Sequence, residues 1–300
     1  MANISKTQAW FLAARPKTLF AGATPVIVGS ALAMHYHTFN WVPALLCLVF
    51  ALLAQIASNL ANDYYDFINK TDNEDRIGPA RAVASGWITP KEMQVGMCLV
   101  ILLACCVGLG LIYYGGWQMI WVGIAVVIGL LAYSTGPFPL SYHGLGDVFV
   151  LIFFGLVPVV FTFYVQSGFI GPWAIICGIA VGLVSTNILV VNNYRDFEND
   201  KKANKRTTIV LFGKRFGEYL YCLNGYIAVA IVFGYFYMEY AYVAACFPVF
   251  YLITHDRLYR MLKSTTEGTK FNQLLGLTSL NLLFFGVLLS IALYYSQVLV

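Results

Sequence analysis

The chain has 300 residues, 60% of them hydrophobic and 11% charged, with a formal net charge of +4. A soluble domain carries roughly 25% charged residues, so there is too little polar surface here for a water-soluble globule, and no strongly basic surface for a nucleic acid. The seven cysteines (Cys47, Cys98, Cys105, Cys106, Cys177, Cys222 and Cys246) sit mostly inside apolar runs and read as small hydrophobes rather than as a disulfide framework or a metal site.

Met1 to Lys17 is mildly polar and shows no cleavable signal pattern. A spanning helix needs about 20 mostly apolar residues. Nine stretches qualify, near Leu19–Tyr36, Trp41–Ala61, Val95–Tyr114, Gln118–Ser134, Asp147–Gln166, Trp173–Asn192, Tyr219–Met238, Tyr240–Ile253 and Leu274–Ser296. The eighth is short. The expectation is a single all-α membrane domain over residues 1–300, with nine transmembrane helices around a central cavity.

Nine spans place the loops alternately on two sides. All 18 Lys and Arg then fall on one side: Lys6, Arg15 and Lys17; Lys70, Arg76, Arg81 and Lys91; Arg195 through Arg215; and Arg257 through Lys270. The positive-inside rule makes that side cytoplasmic and puts the C-terminus outside. The cavity is expected to open to this face. Thirteen of the 14 acidic residues share it, Glu239 being the exception. Topology does not require this, and the acids cluster in two loops.

The first loop begins Asn59-Leu-Ala-Asn62-Asp63-Tyr64-Tyr65-Asp66-Phe67-Ile68-Asn69 and continues through Asp72, Glu74 and Asp75; the second begins Asn192-Asn193-Tyr194-Arg195-Asp196-Phe197-Glu198-Asn199-Asp200. Aligning Asn62 with Asn192 makes five of nine positions identical, at an offset of 192 − 62 = 130 residues. That spacing suggests an internal repeat with one acidic segment per half. If the helices continue into these segments, Asn59 and Asp63, Asn62 and Asp66, Asn192 and Asp196, and Asp196 and Asp200 share faces at i,i+4, and Asp63 and Asp66 are close at i,i+3. Carboxylates so crowded repel one another beside a membrane. A hard divalent cation relieves this, and magnesium binds through one or two carboxylates plus substrate phosphates. Arg76 and Arg81 follow the first segment, and Lys201, Lys202, Lys205 and Arg206 follow the second. Arg suits bidentate phosphate contact and Lys supplies a point charge. Acids for a metal, bases for phosphate and a membrane-buried body point to an amphiphilic diphosphate with a lipid tail. Solvated loops of mixed charge would explain the bases but not the repeated acidic pattern.

At these residues the sequence resembles the UbiA superfamily of intramembrane prenyltransferases, all-α enzymes with two Asp-rich motifs that bind magnesium and a prenyl diphosphate. The resemblance covers nearly the whole chain. It is strongest to members acting on 1,4-dihydroxy-2-naphthoate in menaquinone biosynthesis, through Arg15-Pro16-Lys17-Thr18-Leu19, Asn62-Asp63-Tyr64-Tyr65-Asp66, Asp75-Arg76-Ile77-Gly78-Pro79-Ala80-Arg81, Gly136-Pro137-Phe138-Pro139-Leu140, Gly144-Leu145-Gly146-Asp147 with Phe154-Gly155, and Asn192-Asn193-Tyr194-Arg195-Asp196. Asn204-Lys205-Arg206-Thr207-Thr208 departs from the family's Gly-Lys-Arg-Thr-Leu, with Asn204 able to adopt left-handed geometry where the family has glycine.

The resemblance implies that Asp63, Asp66, Asp196 and Asp200, helped by Asn59 and Asn192, hold Mg2+ bridged to the diphosphate, with Asn62, Arg76, Arg81, Lys201, Lys205 and Arg206 around the substrate. Tyr64, Tyr65, Phe67, Tyr133 and Tyr194 are candidates to line a cavity around a developing allylic cation. The aromatic acceptor is prenylated and decarboxylated to demethylmenaquinone, in a bacterial cell (inner) membrane. Sister enzymes using 4-hydroxybenzoate, homogentisate or haem are the neighbouring alternative. A transporter is the alternative of another class, disfavoured because charge sits at one rim rather than at midplane.

Taken singly, Arg15 and Lys17 either anchor the first span at the headgroups or contact the acceptor carboxylate or the diphosphate. His143 reads as a loop hydrogen-bonder ahead of a base. Asp147 either caps the fifth span or supports the site.

Overall fold

A computed structural model of the chain describes residues 4–69 and 78–298, and these are helical with no strand among them. Arg76, with Lys70, Asp72, Glu74 and Asp75, lies outside the described residues. Helix α1 (Lys6–Ala14) starts at a capping box in which Ser5 and Gln8 satisfy one another's backbone amides. Arg15 then turns the chain in the left-handed region at φ 51°. The spans follow as α2 (Leu19–His35), α3 (Trp41–Ile68), α4 (Pro90–Gly115) and α5 (Gln118–Ser134). The second half runs through α6 (Gly146–Leu151), a π-helical turn (Ile152–Leu156), α7 (Val157–Ser167), α8 (Pro172–Arg195), and the short α9 (Phe197–Lys202) and α10 (Thr208–Phe212). It ends with α11 (Lys214–Met238), α12 (Tyr242–Cys246), α13 (Tyr251–Ser264) and α14 (Lys270–Val298).

Seven helical segments among the described residues are long and apolar enough to cross a membrane, and Gln118–Ser134 is a shorter apolar helix. The stretch expected as an eighth span, Tyr240–Ile253, lies mostly in a helical run from Tyr242 to Ser264, in which a 3-10 turn over Phe247–Phe250 joins α12 to α13. Pro248 sits in that turn and supplies no backbone N–H, which interrupts the α-helical ladder there. The expected bounds of α3 and α8 were too short: α3 runs on to Ile68, so both Asp63 and Asp66 are helical, whereas α8 stops at Arg195 with Asp196 as its C-cap.

Helices α2, α7, α8, α11 and α14 share one apolar core that includes Val28, Leu32, Phe163, Val181, Val232 and Phe285. A second core at the charged end joins α1, α3 and α4 through Ala57, Leu60, Ile88 and Met93. In lipid, burying apolar surface against another helix gains little, so small residues that let backbones meet decide packing. A Cβ on Gly155 would stand 2.2 Å from the Cα of Gly182, and one on Gly182 would stand 2.4 Å from the carbonyl oxygen of Leu151. The fifth span and α8 therefore touch backbone to backbone. Pro158, lacking an N–H, leaves the carbonyl of Phe154 four residues earlier without its helical donor. The hydroxyl of Ser185 on α8 donates to that oxygen at 3.1 Å. The π turn and the proline are thus repaired from the neighbouring helix.

Candidate functional site

The charged end of the bundle holds a cavity of about 430 Å³, framed by the α1–α2 connection, α3, the segment around Pro79–Arg81, α5, α6, α8 and α14. Its polar lining includes Arg15, Lys17, Asn59, Asn62, Asp63, Arg81, Tyr133, Asn192, Arg195 and Asn272. A second cavity of about 260 Å³ lies deeper between α2, α3, α4, α5 and the fifth span, with almost wholly apolar walls. The two share Ala21, Gln55, Ser58, Phe149 and Phe154, so polar rim and apolar interior form one continuous space.

At the rim each of three carboxylates stands beside one cation. Arg81 Nη2 donates to Asp66 Oδ2 at 2.6 Å. Arg195 donates through Nε to Asp196 Oδ1 at 2.7 Å and through Nη2 to Oδ2 at 2.6 Å. Lys205 Nζ lies 3.7 Å from Asp200 Oδ1. All these groups are largely buried, where ion pairs survive only with their hydrogen bonds met. Of these groups Arg81 and Arg195 line the cavity, whereas Asp66, Asp196, Asp200 and Lys205 lie outside its lining, and the two acidic segments are near enough to feel one another's charge. Burial pushes the Asp200 carboxyl up, Lys205 opposes this, and Asp196 and Asp66 add to it, leaving a pKa of about 6. Burial works against the Lys205 ammonium, but Asp200 and then Asp66 outweigh it and hold its pKa above the usual lysine value.

Asp63 lines the cavity and is also tied to the chain beyond it. It is buried, and its oxygens accept from the backbone amides of Ala82 (2.9 Å) and Val83 (3.2 Å). Those amides open a single helical turn in which Ser85 N–H bonds to Arg81 O at 2.9 Å. Asp63 caps that turn from another helix, in the way an N-cap side chain satisfies the first free amides. Asn59 is likewise committed: its Nδ2 donates to the carbonyl of Ala14 at 2.9 Å and to Thr18 Oγ1 at 3.2 Å, tying α3 to the α1–α2 connection. Asn62 accepts from Ser134 Oγ on α5, and Asn192 accepts from Arg195 Nη2 at 2.8 Å.

Tyr133 lines the cavity, together with Phe149 and Phe154. Tyr194 does not: its hydroxyl donates to Glu218 at 3.1 Å and Lys214 Nζ sits 5.3 Å from its ring centroid, on the far side of α8. Tyr64 and Tyr65 pack into the core at the charged end, and Phe67, Lys201 and Arg206 are exposed. His143 bonds to the carbonyl of Pro139 at 2.8 Å as a loop residue, and Asp147 accepts from Thr208 Oγ1 at 2.6 Å, joining α6 to α10. Asn204 adopts φ 55°, the left-handed geometry that asparagine tolerates.

Arg195 and Asn272 belong to the cavity but were not among the expected site residues. Arg195 Nη1 donates to Asn272 Oδ1 at 2.9 Å, linking α8 to α14. The repeat gave a signal for Arg195, since it stands where the first segment has Tyr65. Nothing in the sequence marks Asn272.

Among the described residues no three His, Cys, Asp or Glu side chains gather closely enough to hold a metal on their own. The site still fits Mg2+, which takes few protein carboxylates and completes its shell with phosphate and water. Asp200 Oδ2 is buried with no hydrogen-bond partner among the described residues, a hard oxygen left open within the field of Asp196 and Asp66.

The fold and site define a polytopic helical membrane protein with carboxylate–cation pairs at one end and a cavity that runs from a polar mouth into an apolar chamber. The UbiA prenyltransferase family profile matches residues 23–283, and the chain belongs to that family. It is 40% identical over 218 residues to the 1,4-dihydroxy-2-naphthoate octaprenyltransferase of Escherichia coli, covering 71% of each chain. It is 36% identical over 226 residues to the protein of the same name from Haemophilus influenzae, covering 73% of each. Its fold matches a UbiA homolog from Archaeoglobus fulgidus bound to GPP and Mg2+, with a TM-score of 0.63 at 18% identity over 94% of this chain and 99% of that one.

Proposed function

We propose that this chain transfers a polyprenyl group from its diphosphate to 1,4-dihydroxy-2-naphthoate with loss of carbon dioxide, a step of menaquinone biosynthesis. The observation that carries this reading is the three ion pairs, Asp66–Arg81, Asp196–Arg195 and Asp200–Lys205, of which Arg81 and Arg195 line a polar cavity continuous with an apolar chamber. The names of the relatives supply the acceptor.

Asp66, Asp196 and Asp200 would hold Mg2+, which would neutralise the diphosphate as the allylic C–O bond breaks. Arg81, Arg195 and Lys205 stand beside those carboxylates and offer N–H donors to phosphate oxygens, as guanidinium and ammonium groups do. Asp63 and Asn59 act through position: one fixes the turn that carries Arg81, the other fixes the connection that carries Arg15 and Lys17. Tyr133, Phe149 and Phe154 keep water from the developing allylic cation and face it with aromatic rings. The bonding pair of the C–O bond leaves with the diphosphate. The ring carbon that bears the carboxylate bonds to C1 of the chain. The carboxylate leaves as carbon dioxide, and its bonding pair restores the ring, giving demethylmenaquinol, the reduced form of demethylmenaquinone. Arg15 and Lys17, which line the polar cavity, would meet that carboxylate.

The whole chain acts as one membrane domain. Its charged rim faces the cytoplasm and its C-terminus the outside of the bacterial cell membrane, as the placement of Lys and Arg supports. The test is incubation of purified protein in detergent with a prenyl diphosphate and equal amounts of 1,4-dihydroxy-2-naphthoate and 4-hydroxybenzoate, with and without Mg2+, reading products by mass. Magnesium-dependent naphthoate prenylation supports the reading. Benzoate prenylation alone would keep the chemistry and replace the acceptor, and no product from either would overturn it.

A further inference from the structure

Of the residues that line both cavities, only Gln55 and Ser58 are polar, and they lie one turn apart on α3. A prenyl diphosphate with its head in the polar cavity and its tail in the apolar one places its first carbon at this junction. The ring that attacks that carbon must meet it there. Gln55 is buried, 8% exposed. Neighbouring hydrogen bonds assign the two ends of its amide. Thr18 Oγ1 donates to the carbonyl of Arg15 at 2.9 Å, and Asn59 Nδ2 donates to the carbonyl of Ala14 at 2.9 Å. Thr18 Oγ1 and Asn59 Oδ1 are therefore left as acceptors, and Gln55 Nε2 donates to both, at 3.4 and 3.5 Å. Turning the amide over would set its oxygen against those two oxygens. Gln55 Oε1 is what remains: it is buried and has no hydrogen-bond partner among the described residues. A buried acceptor without a donor is costly, so this atom marks a place where a donor comes from outside the chain. The two bonds of the amino group are long, and the last torsion of a glutamine is soft, so a small turn brings Oε1 to an incoming donor.

We infer that Gln55 Oε1 accepts a hydrogen bond from the ring hydroxyl of the aromatic acceptor beside the carbon that is prenylated, and that this bond strengthens as the ring attacks. The inference rests on the proposed prenyl-transfer reading and adds a catalytic residue to it. As the ring carbon bonds to the first carbon of the prenyl chain, the ring gives up an electron pair. The oxygen of the adjacent hydroxyl feeds electrons back into the ring, and its O–H gains positive charge. The neutral hydrogen bond to Gln55 then becomes charge-assisted, a gain made in the transition state and not in the ground state. Loss of carbon dioxide returns a pair to the ring and discharges the hydroxyl, which keeps its proton throughout. An uncharged amide oxygen is enough for this task, because no proton is removed.

The experiment uses the full chain in detergent with Mg2+, saturating prenyl diphosphate and two acceptors: 1,4-dihydroxy-2-naphthoate and its 1-methoxy analogue, which lacks the donor beside the reacting carbon. Single-turnover rates are compared for wild type, Gln55→Met, Gln55→Glu and Ser58→Ala. Gln55→Met keeps the length of the side chain and removes its amide, whereas Gln55→Glu keeps an acceptor oxygen and loses the amino group. In Gln55→Met the rate with the dihydroxy acceptor should fall by about 10- to 100-fold, the scale of one charge-assisted hydrogen bond. The rate with the methoxy analogue should stay as in wild type. Gln55→Glu should keep the preference for the dihydroxy acceptor, which it would not if Gln55 acted by anchoring α3 to Thr18 and Asn59. Equal losses on both acceptors in Gln55→Met would make Gln55 an anchor and overturn the inference. So would loss of the preference in Ser58→Ala, the other polar side chain at the junction, in place of Gln55→Met. A wild type that prenylates neither acceptor would overturn the prenyl-transfer reading and this inference with it, a result distinct from the other two.

Discussion

Arg195 grips the carboxylate of the residue that follows it, with Nε 2.7 Å from Asp196 Oδ1 and Nη2 2.6 Å from Oδ2. Adjacent side chains on a continuous helix diverge by about 100° and do not pair in this way. The contact exists because α8 ends at Arg195, and Asp196 sits at φ −89°, ψ 7° before α9 begins. The remaining amino group of the guanidinium reaches Asn272 on α14, so this one side chain ties the acidic segment to the last helix.

Arg195→Ala is expected to raise KM for the prenyl diphosphate by about 10- to 100-fold, the equivalent of one charge-assisted contact of about 1.5–3 kcal/mol. Arg195→Lys keeps the charge but loses the fork, and should recover only part of the loss. Steady-state kinetics on the two variants check this, and equal behaviour of lysine and wild type would show that geometry at Arg195 is irrelevant.

Asp63 and Asp66, three residues apart, should separate in mutagenesis. Asp63→Ala strips two buried amides of their acceptor and is expected to cost about 1–3 kcal/mol of stability, seen as a lower Tm in detergent, with the Mg2+ requirement unchanged. Asp66→Asn should raise the Mg2+ concentration needed for half-maximal activity. A raised Mg2+ requirement in the Asp63 variant would place Asp63 among the metal ligands.

The fifth span and α8 should tolerate no bulk where they meet. Gly182→Ala puts a methyl 2.4 Å from the backbone oxygen of Leu151, and backbone cannot step aside cheaply. The expected outcome is loss of folded, monodisperse protein. Ser185→Ala removes the donor to Phe154 O and should cost only about 1 kcal/mol, in line with hydrogen bonds measured inside membrane proteins. Thermal unfolding of the two side by side gives the ranking.

Asp200 gives the site a pH dependence whose sign follows from its pKa of about 6. A cation needs the ionised carboxylate, so below pH 6 binding must displace a proton, and affinity for Mg2+ should fall by about tenfold per pH unit. Above pH 6 there is no proton to displace, and affinity should level off. Because the folded pKa is raised, Asp200 holds its proton more tightly in the folded protein; its contribution to stability is greatest below the unfolded value near 3.8 and is lost as pH rises through 6. Calorimetric Mg2+ titration across pH 5–7.5 tests the binding half, and Asp200→Asn should flatten the profile.

The acidic repeat was legible because a two-fold pattern of Asn, Tyr, Asp, Phe and Asn is far from chance in so apolar a chain. The spans were legible by hydropathy, while the 3-10 turn around Pro248 inside the eighth was not. The amide contacts of Asp63 were not legible. Helical spacing places it within reach of Asp66, but it also accepts from amides 19 and 20 residues later, and contacts across a loop leave no local signature. Tyr194 misled for a related reason: the repeat matches it to Tyr64, yet its side chain turns to Glu218 on α11, away from the cavity.

The clamp by Asp63 on Ala82 and Val83 has one more consequence. Arg81 stands beside Asp66 on a turn that is pinned to α3 by a neighbouring carboxylate one helical turn away. A change at Asp63 therefore reaches the guanidinium without touching it, because freeing the Ala82 and Val83 amides loosens the mount on which Arg81 stands.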